Sequence, residues 1–174
     1  MPGSGKSTVA DRIAKQLGYS RESMGNFQRE LAKKHKMTLD EWGKYQEKHP
    51  ESDKEVDEYH ARYGREHDDF IMDSRLGFHF IPDSLKIFLR VDPYEGARRI
   101  YDARRQGEKG TSIDDIQALN ERRVESERIR YTQFYGLDHY DMKNYDIVFD
   151  TTAKTVNECV NLLLSAIENH KKKR

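Results

Sequence analysis

The first eight residues, Met-Pro-Gly-Ser-Gly-Lys-Ser-Thr, are of types that bind phosphate groups. Gly3 and Gly5 allow backbone amides to approach an anion without an intervening Cβ, and a helix that follows would direct its positive end at that anion. Lys6 is expected to contact β- and γ-phosphate oxygens, Ser7 to bind Mg²⁺, and Thr8 to lie near an α-phosphate. The expected phosphate-contacting residues are Gly3, Ser4, Gly5, Lys6, Ser7 and Thr8.

This segment matches most of the pattern G-x-x-x-x-G-K-[ST], which follows a β-strand and opens a helix. The first glycine of the pattern would precede Met1, and no strand comes before the loop in this sequence. The first strand of such a sheet normally lies in its middle, so its absence would leave a gap of roughly 10 Å. We therefore expect a β-rich segment ending in glycine upstream of Met1, or a later segment that replaces this strand.

Helix and strand patterns alternate after the loop. Apolar spacing predicts a helix over 6–17, and the capping-box patterns at Thr38–Glu41, Ser52–Glu55 and Thr155–Glu158 predict three further helix starts. Besides the helix over 6–17 and the one that starts at Thr38, the predicted helices cover 26–35, 52–66, 92–105, 112–135 and 155–170. The predicted strands cover 70–72, 85–91 and 145–152. Because helices separate the strands, the order favours a parallel α/β sheet.

The composition limits the classes of protein. The 174 residues suffice for one domain, and 31 basic against 31 acidic residues give no excess of positive charge for binding nucleic acid. The apolar runs are too short for a membrane span, and Cys159, as the single cysteine, cannot form an internal disulfide. Its spacing predicts the buried side of a helix. We expect a cytoplasmic, monomeric protein that binds neither nucleic acid nor membranes.

Arginines cluster in four segments, where guanidinium groups could bind phosphates as bidentate forks. These segments cover 23–30, 72–77, 96–107 and 120–136. The chain has no N/T-K-x-D guanine motif, which disfavours a GTPase, and its size disfavours the large motor ATPases. A phosphate loop combined with distributed arginines therefore indicates a small kinase.

Short motifs within these segments make the interpretation more specific. S-x-G-x-x-x-R is present as Ser23, Gly25 and Arg29, a G-R-L-type segment as Asp73-Ser74-Arg75-Leu76, and R-x-x-S-E-x-x-R-Y as Arg123, Ser126, Glu127, Arg130 and Tyr131, with Tyr135-Gly136 beyond. In this combination the chain resembles, over nearly its whole length, the cytidylate kinase-like nucleoside monophosphate (NMP) kinases, in particular the short archaeal-type (d)CMP kinases.

The resemblance implies an architecture. It is an α/β fold with a P-loop NTPase-type parallel sheet sandwiched by helices, forming a single P-loop kinase domain over 1–174. A helical NMP-binding insertion would cover about 26–67 and hold the acceptor. A short lid would cover about 104–112.

The resemblance also implies roles for residues that would bind the acceptor. Arg29 and Arg75 would hold its phosphate, while Ser23 and Gly25 would shape the site for its sugar or base. Asp73, at a strand end, would order the water molecules around Mg²⁺.

Two further arginines of the resemblance lie on one predicted helix. Arg123 and Arg130 are seven residues apart and thus lie along one helix face, from which both are expected to contact the phosphates passing from donor to acceptor. Glu127 lies between them and is expected to hold both guanidinium groups. Arg104 is a further expected contact to the donor phosphates. The expected catalytic residues are Lys6, Asp73, Arg123 and Arg130.

The implied activity is ATP- and Mg²⁺-dependent phosphorylation of cytidine or deoxycytidine monophosphate to the diphosphate. Bacterial cytidylate kinases have D-G-R-D where this chain has Asp73-Ser74-Arg75-Leu76, so the last acid, which helps to read cytosine, is absent. The archaeal-type proteins resemble this chain in having leucine there. A kinase for AMP, UMP or a non-nucleotide acceptor stays open, as does a nucleotide-binding P-loop protein that is inactive in this N-terminally short form.

Several other side chains have simpler interpretations. His60 and His67 lie on a charged helix without a third ligand at suitable spacing, so we expect solvated histidines and no metal site. Arg98 and Arg99 are expected on a helix surface. Trp42 is expected to pack in the interior.

Overall fold

The computed structural model describes residues 1–103 and 112–172. Its helices are α1 Lys6–Leu17, α2 Met24–Lys34, α3 Leu39–Lys48, α4 Lys54–Glu66, α5 Gly77–Phe80, α6 Pro93–Ala103, α7 Ile113–Tyr135 and α8 Val156–Lys171. Its strands are β1 Ser20–Ser23, β2 Phe70–Asp73, β3 Ile87–Arg90 and β4 Ile147–Asp150. Arg104 and most of the expected lid lie outside the described residues.

The strands form two parallel pairs. β1 pairs with β2, which places Ser23 opposite Asp73, and β3 pairs with β4, which places Arg90 opposite Asp150. Within the described part of the chain these pairs are separate two-stranded sheets. The expected upstream strand stays a prediction.

Two apolar clusters stabilise the fold. The first joins α1 and α8 to β3, and its buried residues are Val9, Ile13, Leu89, Cys159, Val160, Leu163 and Ile167. The buried position of Cys159 confirms the prediction from its spacing. The second cluster lies among α2, α3 and α4 and contains Trp42, whose indole Nε1 donates a 2.6 Å hydrogen bond to Gln28. Trp42 therefore packs in the interior, as expected.

The local sequence did not reveal where β1 lies. Ser20–Ser23 contains no apolar residue, yet it forms a strand because β2 supplies a complete parallel partner. The helix predicted from Asn26 begins at Met24 instead, since the Ser23 hydroxyl accepts a hydrogen bond from the amide of Asn26 and caps α2.

The predicted capping box at Ser52–Glu55 is wrong. Pro50–Asp53 forms a 3₁₀ turn, within which the Ser52 hydroxyl donates to the carbonyl of His49 at 2.6 Å. The hydroxyl is thus engaged, and α4 begins at Lys54 without a side-chain cap. The boxes at Thr38–Glu41 and Thr155–Glu158 are confirmed. None of the described helices combines the length and apolar character needed to cross a bilayer.

Candidate active site

The phosphate loop presents an open helix N-terminus. Gly5, the N-cap of α1, has a φ of 76°, and no side chain caps the helix. A Cβ added at Gly5 would meet no heavy atom within 4 Å, so there is space beside this backbone. Gly3 is needed for a different reason, because a Cβ there would lie 2.2 Å from the carbonyl oxygen of Gly96 in α6. The loop therefore combines uncapped amides with open space, as an anion requires.

A cleft of about 550 Å³ extends from this loop between α6 and the segment after β4. Thr8 lines the cleft and is exposed. Ser4 is buried, and its hydroxyl donates to the carbonyl of Met1 at 2.9 Å, so it stabilises the loop from within. The size of the cleft is that of a site for a nucleotide-sized molecule.

Lys6, Ser7 and Asp73 meet where β2 ends. The Ser7 hydroxyl donates to Oδ2 of Asp73 at 2.7 Å, and the ammonium group of Lys6 donates to the carbonyl of Met1 at 3.1 Å. Burial, and then the charge of Arg75, lower the pKa of Lys6 to about 7. Burial opposes ionisation of Asp73, but Lys6 and the bond from Ser7 hold its pKa below the ordinary value. The loop thus faces a carboxylate that is ionised at neutral pH.

Glu127 of α7 holds two arginines. Its Oε2 accepts from Nε of Arg75 at 2.8 Å, and its Oε1 accepts from Nε of Arg123 at 3.0 Å. Burial opposes ionisation of Glu127, but Arg75, then a hydrogen bond from His139, and then Arg123 keep its pKa well below the ordinary value. The same pairing raises the pKa of Arg75. Both guanidinium groups are therefore fixed by one carboxylate.

The expectation that Glu127 also holds Arg130 is wrong. Arg130 donates to Oε1 of Gln46 at 2.9 Å and to the hydroxyl of Tyr131 at 3.2 Å, and its Nε lies 3.8 Å from Oδ2 of Asp53. The carboxylate of Glu127 faces the Arg75 turn instead, whereas Arg130 is buried against the helical region. Arg130 thus joins α7 to α3 and the turn after it.

Sequence reasoning missed three members of these networks. Gln46 and Asp53 are buried and bonded to each other at 2.7 Å, although they lie in a stretch of mostly polar residues. His139 is 2 % exposed, with Nε2 3.7 Å from Oε2 of Glu127. No spacing or motif distinguishes these residues from surface polar side chains, because their burial depends on α7, whose Arg130 and Glu127 lie opposite them.

The predicted acceptor-binding residues at the start of α2 form a group. A Cβ at Gly25 would lie 3.8 Å from the Ser23 hydroxyl and 3.9 Å from a terminal nitrogen of Arg29. Arg29 is exposed and donates to Oδ1 of Asn26 at 2.6 Å. Strand pairing places Ser23 beside Asp73, so this group adjoins the end of β2.

Arg99 is not the plain surface residue that we expected. It donates to the carbonyl oxygens of Thr151 and Thr152 at 2.8 and 2.9 Å, and to Glu95 at 2.8 Å. The segment after β4 is thereby tied to α6 across one end of the cleft. Arg98, which pairs with Glu95 and Asp102 and is about half exposed, agrees with the surface interpretation.

Asp57 of α4 makes the stability of the fold depend on pH. The hydroxyl of Tyr135 donates to its Oδ2 at 2.8 Å, and burial raises the pKa of Asp57 from 3.8 to about 6. Between these two pH values the folded protein binds more protons at Asp57 than the unfolded chain does. Stability therefore falls as the pH rises through this window.

We expect Asp57→Asn to increase the free energy of unfolding by about 1 kcal/mol at pH 7, a figure reduced for the partial exposure of the group. The gain should shrink towards pH 4, because the folded carboxyl group is then protonated and the unfolded one is partly protonated. Urea unfolding at a series of pH values measures it. Asp138→Asn is the control of opposite sign, since its pairing with Arg128 outweighs burial and lowers the pKa of Asp138. Equal effects of Asp57→Asn at pH 4 and pH 7 would contradict the prediction.

Comparisons with known proteins identify the family of the chain. A family model described as AAA domain matches residues 1–130. The cytidylate kinase of Thermoplasma volcanium is 35 % identical over 175 residues, which cover 98 % of this chain and 90 % of that protein. The cytidylate kinase of Archaeoglobus fulgidus is 32 % identical over 168 residues, which cover 96 % and 91 %. These relatives match the chain almost from end to end.

Two further similarities support less, because one covers only part of the relative's length and the other has low sequence identity. An S-adenosylmethionine-dependent nucleotide dehydratase of Lacinutrix mariniflava is 37 % identical over 163 residues, 93 % of this chain, which spans only 33 % of that protein. A solved shikimate kinase from Bacteroides thetaiotaomicron has a TM-score of 0.65 at 16 % identity, covering 95 % of this chain and 93 % of its own. At that identity the likeness shows the fold alone, an α/β P-loop fold. The chain belongs to the cytidylate kinase-like P-loop kinases.

Proposed function

We propose that this kinase transfers the γ-phosphoryl group of ATP to cytidine or deoxycytidine monophosphate. The observation that carries the proposal is the convergence of the phosphate loop and the Arg75–Glu127 pair at the end of β2. Ser7 of the phosphate loop bonds to Asp73 at this point, and Arg75 lies in the turn just after β2, where Glu127 of α7 holds it. The cytidylate kinase names of relatives that match almost the whole chain support the choice of acceptor.

On the donor side, the uncapped amides of α1 and Lys6 would hold the ATP phosphates. The residues fit this role because Gly5 leaves open space beside the helix N-terminus. Ser7 and Asp73 offer a hydroxyl and a carboxylate oxygen, which are donors that Mg²⁺ prefers. When bound there, Mg²⁺ would neutralise charge on the phosphates.

On the acceptor side, α2–α4 would form the acceptor-binding region. Arg75 uses Nε to bond Glu127, so its terminal nitrogens can bind a phosphate as a fork. Arg29 would contact the same phosphate, and Ser23 and Gly25 would adjoin the sugar or base.

Catalysis would consist of alignment and charge neutralisation. An oxygen of the acceptor phosphate forms a bond to the γ-phosphorus, and the bond from that phosphorus to the oxygen bridging to the β-phosphate breaks, so ADP leaves. Lys6, Arg123 and Arg130 would offset the charge of the transferring group. We propose that the contact of Arg130 with Gln46 places this guanidinium between α7 and the acceptor-binding region.

The experiment is a panel of acceptors with ATP and Mg²⁺, in which ADP release is measured. We expect CMP and dCMP to give the highest kcat/KM, with AMP, UMP and shikimate as comparison acceptors. Preference for one of the comparison acceptors would contradict the proposed substrate. ATP binding by calorimetry without turnover of any acceptor would contradict the kinase proposal and favour a nucleotide-binding protein.

Arg99→Ala should raise the KM for ATP about tenfold, because the segment after β4 loses the hydrogen bonds that hold it against α6. The KM for the acceptor should change less than twofold, roughly within the effect of an exposed ion pair. Arg128→Ala is the control, because Arg128 is an exposed arginine of α7 that pairs with Asp138 and does not line the cleft, and it should leave both constants unchanged. Steady-state kinetics measure all four values, and an equal rise in both KM values for Arg99→Ala would contradict the donor-side role.

A further inference from the structure

His60 is buried, contrary to the expectation that the histidines of α4 are solvated. His60 is 3 % exposed, and its ring stacks on that of Phe80 with centroids 5.5 Å apart. His67, one residue past the end of the same helix, is exposed as expected. A buried imidazole calls for hydrogen-bond partners on both ring nitrogens.

The partners of His60 define its tautomer. Nδ1 lies 2.9 Å from the carbonyl oxygen of Val56, which can only accept, so Nδ1 carries the proton. Nε2 lies 2.6 Å from the hydroxyl of Ser74 and, in the neutral ring, accepts from it. Burial lowers the pKa of His60 to about 4, so the ring is neutral at pH 7.

Ser74 transmits this contact to the backbone. Its hydroxyl oxygen accepts from the amides of Leu76 and Gly77 at 3.2 and 3.0 Å while its proton points to His60. One donor and two acceptor positions are all that a hydroxyl offers, and each is used. His60 of α4 therefore holds the turn that contains Arg75 through the hydroxyl of Ser74.

The same helix contacts both neighbouring elements of the site. The hydroxyl of Tyr59 donates to Glu22 of β1 at 3.1 Å, and Asp57 accepts from Tyr135 of α7 at 2.8 Å. These contacts set the position of α4. A displacement of α4 would therefore move His60 and, through Ser74, the turn that contains Arg75.

We propose that His60 is a positioning residue for Arg75: through Ser74 it sets the turn that aims the Arg75 guanidinium at the acceptor phosphate. The inference rests on the proposed function in so far as Arg75 binds that phosphate. His60 itself lies one hydroxyl and one turn away from the acceptor, and it transfers no proton in the reaction. Its removal therefore affects acceptor binding more than donor binding.

Four variants test the proposal. His60→Phe keeps an aromatic ring against Phe80 but loses the hydrogen bond, and Ser74→Ala removes its partner. Each should raise the KM for CMP about tenfold with the KM for ATP within about twofold, as expected for the loss of one buried hydrogen bond. The double variant should be no worse than either single one. His60→Gln, which can again accept from Ser74, should restore much of the loss.

His67→Phe is the matched control. Nδ1 of His67 makes the same contact to a carbonyl four residues earlier, that of Tyr63 at 3.2 Å, but the ring is exposed. Its kinetic constants should equal those of the wild type. Equal rises in both KM values for His60→Phe and Ser74→Ala, or effects that add in the double variant, would overturn the proposal.

Amide hydrogen exchange separates this inference from the proposed function. In His60→Phe the amides of Leu76 and Gly77 should exchange at least about tenfold faster than in the wild type, while those of α1 keep their rates. Unchanged exchange at both amides would overturn the positioning role. Absence of phosphoryl transfer by the wild type to any acceptor would instead refute the proposed function, and the exchange result would still report on the turn.

Discussion

Replacement of Lys6 by methionine is expected to lower kcat by about 10³-fold, the effect of removing a preorganised charge from developing phosphoryl charge. Its ammonium group is buried beside Arg75 and Asp73, and burial lowers its pKa to about 7. The phosphate charges of ATP should raise this pKa and keep the lysine protonated during turnover. Methionine is unbranched and only one heavy atom shorter than lysine, so the variant should fold.

Lys15→Met in the last turn of the same helix is the control for the Lys6 variant. Lys15 is exposed, and its replacement should leave turnover unchanged. Steady-state ADP release at saturating substrates measures both variants, with thermal unfolding to compare their stability. Turnover of Lys6→Met within a factor of about three of the wild type would remove Lys6 from the mechanism.

Replacement of Arg130 by alanine is expected to lower kcat by at least about 10²-fold, because the variant lacks a guanidinium that offsets transition-state charge. It should also destabilise the fold by about 2 kcal/mol, since Gln46 and Asp53 lose their buried partner. Burial already raises the pKa of Asp53, and the loss of Arg130 removes the charge that lowers it. Kinetics at saturating substrates and urea unfolding measure the two effects separately.

Arg128→Ala distinguishes these effects from a general loss of charge on α7. Arg128 is about half exposed and pairs with Asp138 at 2.9 Å, outside the network of Gln46 and Asp53. Its removal should change neither kcat nor stability by a large factor. If Arg130→Ala destabilised the protein but kept the wild-type kcat, the residue would be a structural link between α7 and the helical region, without a catalytic role.

Local chemistry made part of the fold predictable. The capping boxes at Thr38–Glu41 and Thr155–Glu158 depend on atoms within one helix turn, so the sequence pattern contains all the partners. The box at Ser52–Glu55 failed because Pro50 starts a 3₁₀ turn, in which Ser52 bonds to His49. β1 could not be found from its own residues, since Ser20–Ser23 becomes a strand through pairing with a segment 50 residues away.

The candidate site also contains parts that the local sequence predicts and parts that it does not. The phosphate loop was recognisable because its glycines, lysine and hydroxyls are contiguous. For α7, helical spacing correctly related Glu127 to Arg123, but it could not show that Arg75 from another element competes for that carboxylate. Nor could it show Gln46 opposite Arg130, because that contact joins residues 84 positions apart. Spacing describes one face of a helix, whereas the partner of that face is a tertiary property.

The most direct test of the central claim is a crystal structure with a bisubstrate analogue in which adenosine and cytidine are joined by a polyphosphate chain. The account predicts that the chain lies at the end of β2, with the Lys6 ammonium and the terminal nitrogens of Arg75 both within hydrogen-bond distance of its phosphates. A polyphosphate bound away from the Gly3–Ser7 loop, or bound there with Arg75 directed away from it, would contradict the account.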